Sequence, residues 1–166
     1  LVAAARAAGL GEVTLIPEPV AAATYLASRG AHGDIVVYDL GGGTCDVSVV
    51  RSSPNRLYVL ESGGLDDLGG LDLDQVVLEQ IGAAVAPFAP ARWARLIAPG
   101  TPADRREAMM LRDDVRTAKE ALSRHPSATV FVPLVDRDIL VAREAFERAA
   151  TDRLGPSADM TLAVIR

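Results

Sequence analysis

Apolar and polar positions divide the chain into strand-like and helix-like stretches. "EVTLI" (12–16) is a short apolar run of strand length. "PEPVAAATYLASRG" follows, where Pro17 and Pro19 fix the entry of an alanine-rich helix and Gly30 ends it. Three strand-like runs come next, at 34–40, 44–51 and 56–62. They are separated by glycines 41–43 and by "SSPN" (52–55), a pattern that predicts a β-meander. A Gly/Asp-rich loop, "GGLDDLGGLDLD" (63–74), leads into a helix over 72–86. Prolines 87, 90, 99 and 102 then predict a loop or broken helix around Trp93. Residues 103–124 are strongly helical, and "ATVFVPLV" and "RDILVA" pair as a hairpin around "DRD" (136–138). "REAFERAATDRL" begins a last helix that Gly155 and Pro156 are expected to disturb, with "ADMTLAVIR" as its continuation. The opening "LVAAARAAGL" reads as the last turns of a helix with Gly9 as a left-handed stop, so an excised piece of a larger domain is expected.

Composition narrows the classes. Of 166 residues, 49% are hydrophobic but only 4% aromatic, so the core must be built from Ala, Val, Leu and Ile. Seventeen basic against 22 acidic side chains give a net charge of −5 without a basic patch, which argues against nucleic acid as a partner. A single cysteine forbids an internal disulfide and fits a reducing compartment such as the cytoplasm. No apolar run approaches the roughly 18 residues of a bilayer span. His32 and His125 fall in predicted loops without companion ligands.

Chemistry concentrates in "VVYDLGGGTCDVSVV" (36–50). Three glycines let backbone approach a ligand closely, and glycine admits positive φ, so successive N–H groups can converge on an anion. Thr44 adds a hydroxyl donor. Asp39 and Asp46 flank the turn, and carboxylates beside a phosphate are unfavourable unless a cation lies between them. Mg²⁺, which keeps several waters and uses few protein carboxylates, suits that place. The local chemistry is therefore phosphate plus metal, with a glycine-rich hairpin bearing solvated aspartates as the bland alternative. The P-loop is excluded because it needs a lysine and a following helix.

"DLGGGTCDVSVV" resembles the second phosphate-binding segment of the DnaK-type chaperones, the seventy-kilodalton heat-shock proteins, whose ATPase domain belongs to the actin and sugar-kinase superfamily. Further segments match in order. "LIPEPVAAATYL" is similar to the family's strand–turn–helix with N-E-P-T-A-A-A, and "GGLDDLGGLDLD" to its L-G-G-x-D-F-D loop. "VRTAKEALS" is similar to the adenosine-side helix, and "VAREAFE" to the T-R-x-x-F-E helix start. The resemblance implies an α/β fold: a fragment of an actin-like ATPase, with a ribonuclease-H-like lobe carrying the β-meander and a small α+β subdomain. The implied division is 1–64 for part of the lobe II base, 65–145 for the small subdomain, and 146–166 for a helix returning to the base.

The resemblance also implies roles. Glu18 matches the catalytic glutamate that positions the attacking water. Asp39 matches the aspartate that holds hydrated Mg²⁺, and Asp46 one near a monovalent-cation (K⁺) site. Gly42, Gly43 and Thr44 match donors to the β- and γ-phosphates of ATP or ADP, Gly41 serving the turn. Gly69 and Gly70 match glycines close to the nucleotide, while Asp72 and Asp74 read more simply as caps of the next helix. On the adenosine side Lys119 and Ser123 hold the family's Lys and Ser positions. Arg116 stands where the ribose-binding glutamate is expected, and Glu120 where an arginine is often found. A guanidinium offers donors only, so it cannot accept from a ribose hydroxyl; the exchanged pair can instead form a local ion pair. Cys45 replaces an aromatic residue and reads as a buried thiol, and Ala142 replaces a capping threonine.

The family's first phosphate loop (D-x-G-T-T), its catalytic lysine, its second adenosine loop (G-G-x-x-R) and its peptide-binding domain have no counterpart in the sequence. The expected function is therefore part of an ATP-dependent protein-folding chaperone, with an ATPase parent and no turnover by these residues alone. A nucleotide-exchange factor or co-chaperone on the small subdomain is the implied partner, and unfolded clients only through other parts of the parent. A small-molecule kinase of the same superfamily and a non-catalytic interaction module are the rivals.

Overall fold

A computed structural model describes residues 1–54 and 56–166. Two compact units divide it: Leu1–Asp39, Cys45–Leu65 and Asp159–Arg166 form the first, and Leu40–Thr44 with Asp66–Ala158 the second.

In the first unit, α1 (Val2–Ala7) stops at Gly9 with φ +78°, the predicted left-handed residue. The run 12–16 forms no strand. It is apolar enough, but a strand exists only through a neighbour, and this segment pairs with none among the described residues. α2 (Glu18–Ser28) begins after Pro17 with Pro19 in its first turn, and Gly30 at φ +93° turns the chain toward β1 (Gly33–Leu40). β2 (Cys45–Ser53) and β3 (Arg56–Leu65) complete a sheet of order β1-β2-β3. The predicted turn over 52–55 begins two residues late, because Ser52 and Ser53 still pair with Leu57 and Arg56; Asn55 lies outside the described residues. β2 and β3 run antiparallel with a register shift at Val49/Val50. Ile35, Val50 and Ala23 are buried together beneath Val20, Val37, Leu57 and Val59, which fixes α2 on one sheet face.

The second unit is built on α3 (Gly70–Val85) and α5 (Pro102–Leu122). Helical spacing puts Val77, Ile81 and Val85 of α3 on one face, and Leu111, Val115, Ala118 and Leu122 of α5 on another. Both faces bury against Val130 and Val132 of β4 (Ser127–Val132) and Val141 of β5 (Arg137–Ala142). The proline-rich stretch forms α4 (Pro90–Ile97), since Pro90 takes the first helical position, where its missing N–H is harmless. Trp93 of α4 packs on Gly82: a Cβ there would stand 2.8 Å from the indole ring. Thr101 and Asp104 cap α5 reciprocally, and Arg95 donates to the buried Asp104 carboxylate. The hydrogen bond from Arg95, aided by Thr101, holds the Asp104 carboxyl below its ordinary value.

α6 (Arg143–Val164) runs through Gly155 and Pro156 and continues into "ADMTLAVIR". Proline removes one helical donor, but it does not end a helix whose flanks stay packed. Beside it the buried Ser157 donates its hydroxyl to the Leu154 carbonyl at 2.7 Å. No described helix is long and apolar enough to cross a membrane.

Candidate functional site

The predicted site residues fall in both units, and each group has its own surroundings. In the first unit Glu18, Asp39 and Asp46 line one cavity of about 210 Å³, together with Pro19, Val37, Ser48 and Ser62. Strand alternation explains the grouping. Asp39 follows Ile35 and Val37 at two-residue intervals on the α2-facing side of β1, and Asp46 and Ser48 precede Val50 on the same side of β2. Glu18 enters from the first turn of α2. Asp46 faces Gly64 across the β2–β3 pair, and a Cβ on Gly64 would lie 2.8 Å from the Asp46 carboxylate. Gly64 is the residue that lets this carboxylate lie over β3, a requirement the motif reading missed. Among the described residues none of the three carboxylates has an ion pair or hydrogen-bond partner. No three acidic, His or Cys side chains among them converge closely enough to coordinate a metal directly. The arrangement fits a hydrated cation, reached through its own waters, better than a bare one.

In the second unit, the turn at 41–44 is closed by the Gly41 N–H donating to the Thr44 carbonyl at 2.8 Å. It is docked on the start of α3: the Gly70 N–H donates to the Gly41 carbonyl and the Leu71 N–H to the Gly42 carbonyl, both at 2.8 Å. Positive φ is not what the glycines provide, since none of 41–43 adopts it. They provide room. A Cβ on Gly42 or Gly43 would meet no protein atom, so that side of the turn is open to a ligand. Gly69 is needed for a different reason: a Cβ there would collide with the backbone of Gly42 and Gly43. The Gly69 N–H donates to the Asp72 carboxylate at 2.8 Å, so Asp72 is the helix cap it was expected to be.

Asp74 is not a cap. Its Oδ1 lies 2.7 Å from Lys119 Nζ, an ionic contact off the line of a hydrogen bond. Lys119 also donates to the Gly70 carbonyl at 2.9 Å. Lys119, Glu120 and Ser123 line a cavity of about 540 Å³ with Leu73, Leu122, Arg124, Phe146 and Glu147. The apolar walls Leu73, Leu122 and Phe146 went unnoticed in the sequence because they match ordinary core periodicity. Arg116 is not part of this lining. It forms the anticipated one-turn ion pair with Glu120, 3.4 Å apart and highly exposed. Ser123 donates its hydroxyl to the Glu120 carbonyl at 2.6 Å. Cys45 is fully buried.

Comparison with known proteins agrees with these motifs. The family model described as "Hsp70 protein" matches residues 1–155. A "Chaperone protein HscA homolog" of Burkholderia mallei (strain SAVP1) is 39% identical, over 93% of this chain and 24% of its own length. The same identity and coverage hold for the homolog of Burkholderia pseudomallei (strain 668). One from Burkholderia lata is 40% identical over 79% of this chain and 20% of its own length. The chain thus spans about a quarter of the length of the curated relatives it matches. With the matched helices and strands forming a mixed α/β structure, the chain belongs to the Hsp70 family.

Proposed function

We propose that this chain forms part of the nucleotide-binding domain of an ATP-driven, Hsp70-type protein-folding chaperone. The observation that carries the proposal is the cavity shared by Glu18, Asp39 and Asp46, three carboxylates without a cationic partner. Asp39 would hold hydrated Mg²⁺, with Asp46 near a K⁺ site and Glu18 orienting the attacking water. Gly42, Gly43 and Thr44 would donate to the β- and γ-phosphates. Bound Mg²⁺ supplies charge neutralisation at those phosphates. Lys119, Glu120, Ser123 and the apolar walls of their cavity would receive the adenosine, and Gly70 would stay near the nucleotide. Phosphoryl transfer of this kind depends on positioning and charge, so residues that hold only part of the nucleotide give no turnover alone. In the full-length protein a nucleotide-exchange factor would dock on the small subdomain, and unfolded clients would bind through other parts, in the cytoplasm.

The test is single-turnover ATP hydrolysis by the full-length protein. Glu18→Gln should slow the chemical step by about 10²–10⁴-fold, the usual range for lost acid–base assistance, while ADP affinity stays within about twofold. Equal turnover in both proteins would remove Glu18 from the reaction. The exposed Arg116–Glu120 pair gives some support to a second reading, an interaction module that has lost its ribose grip. In that case Arg116→Glu would restore no binding to a protein that binds no nucleotide.

A further inference from the structure

Ser48 lines the Glu18–Asp39–Asp46 cavity, and only 6% of the residue is exposed. Among the described residues its hydroxyl has no hydrogen-bond partner. The oxygen is not sealed inside protein either; it opens on the cavity. A buried hydroxyl without a partner is costly, so native folds give such a group a protein atom or an ordered water. The cavity of about 210 Å³ has room for water, since one molecule's share of the liquid is only about 30 Å³.

The neighbours of Ser48 make such a water specific. Ser62 faces Ser48 directly across the β2–β3 pair, and Gly64 faces Asp46 in the same way. Directly opposed Cα atoms stand roughly 4.5–5.5 Å apart, and residues two apart on one strand roughly 6.5–7 Å. The Asp46 carboxylate lies over the bare Gly64, on the side of the sheet that carries both hydroxyls. At these spacings the three side chains make no direct hydrogen bond, and one water spans the gap. The donor inventory agrees. A carboxylate only accepts, whereas a water donates twice and a serine hydroxyl both donates and accepts. A water held by Ser48 therefore has a hydrogen to give to Asp46.

We propose that Ser48 is a positioning residue for Asp46: with Ser62 it holds one ordered water that donates to the Asp46 carboxylate and fixes its orientation toward the cation. That cation is the K⁺ proposed above beside Asp46, so this role rests on the function proposed above. Ser48 touches neither the cation nor the nucleotide. It acts through the ligand that it orients, as hydrogen-bond partners of metal ligands do. Ser62 is exposed, so solvent can replace its hydroxyl, and Ser48 carries the larger share.

Two readouts on the full-length protein test this. The first needs no nucleotide: a crystal structure at a resolution that shows ordered water. One water within hydrogen-bond distance of both Ser48 Oγ and the Asp46 carboxylate is expected. A Ser48 hydroxyl turned to a backbone carbonyl, or no shared water, overturns the proposal. The second is calorimetric titration with Mg·ADP in potassium chloride and in choline chloride at equal ionic strength. Ser48→Ala should weaken binding in K⁺ about tenfold and leave binding in choline within about twofold, the low end of the loss when a metal ligand's support is removed. Ser48→Thr keeps the hydroxyl and should stay within about threefold of the unmutated protein in both salts. Unchanged binding by Ser48→Ala in K⁺, or equal losses in both salts, overturns the proposal, because a residue that merely packs has no dependence on the cation. If the unmutated protein binds no ADP, or binds it without regard to K⁺, the proposed nucleotide or K⁺ site fails, and the crystal structure still decides whether Ser48 positions Asp46.

Discussion

Glu18, Asp39 and Asp46 share a cavity with no cation among the described side chains, whereas Lys119 donates to the Gly70 carbonyl at the start of α3 and lies in ion-pair contact with Asp74. The first group carries like charges on strand and helix ends, held in place by backbone and by the bare surface of Gly64. The second is an ion pair and a lysine-to-carbonyl hydrogen bond at the edge of an apolar core. Polar groups that the fold leaves unpaired are available to a ligand. Polar groups that the fold pairs act through their partners. The difference shows that residues from one family motif set stand in different electrostatic surroundings here. Asp39 has no hydrogen-bond or ion-pair partner among the described residues, while Lys119 contacts the Gly70 carbonyl and Asp74.

Several substitutions break or sharpen this contrast. The largest effect is expected at Asp39. Removing a carboxylate that pairs with nothing should leave unfolding free energy in urea within about 0.5 kcal/mol. Mg²⁺-dependent ADP affinity of the full-length protein should fall by up to about 100-fold, the scale of a lost metal-site contact. Lys119→Met should do the reverse in stability, costing about 1–3 kcal/mol because the Gly70 carbonyl loses its donor and the Asp74 carboxylate its ion-pair partner; a urea titration measures it. An intermediate case is Asp104, a carboxylate already paired within the second unit. Its folded pKa lies below the ordinary value of 3.8, so it stabilises the fold above about that pH and the stability is lost as pH falls through the depressed folded value. Asp104→Asn should therefore flatten the acid limb of a thermal-melt series below pH 4. The smallest change is Arg116→Glu. It replaces an exposed ion pair by a like-charge pair one turn apart and should cost about 0.5 kcal/mol or less. Because Arg116 does not line the cavity, ADP affinity should move by no more than about threefold; a tenfold gain would bring Arg116 back into the ribose site.

Much of this was legible in the chain. The strand at 34–40 and the helix at 103–124 follow from local pattern and stand as β1 and α5. Both are local patterns that the structure has no reason to override. What the sequence concealed depends on partners far along the chain. "EVTLI" has strand composition but no neighbour to pair with. Pro156 is expected to disturb the last helix, and the helix passes through it into "ADMTLAVIR". Asp74 looked like a cap because acidic residues at helix starts usually are; its partner lies 45 residues away on α5. Gly64 and Gly69 carry no motif signature that distinguishes room for a carboxylate from room for a second backbone.

The most direct test of the central claim, that the Glu18–Asp39–Asp46 cavity awaits a cation that accompanies a nucleotide, is calorimetric titration of the full-length protein with ADP, with and without Mg²⁺, before and after Asp39→Ala. The account predicts saturable binding that strengthens with Mg²⁺ and loses that dependence in the variant. Binding that is indifferent to Mg²⁺ in both proteins, or no binding at all, would contradict it.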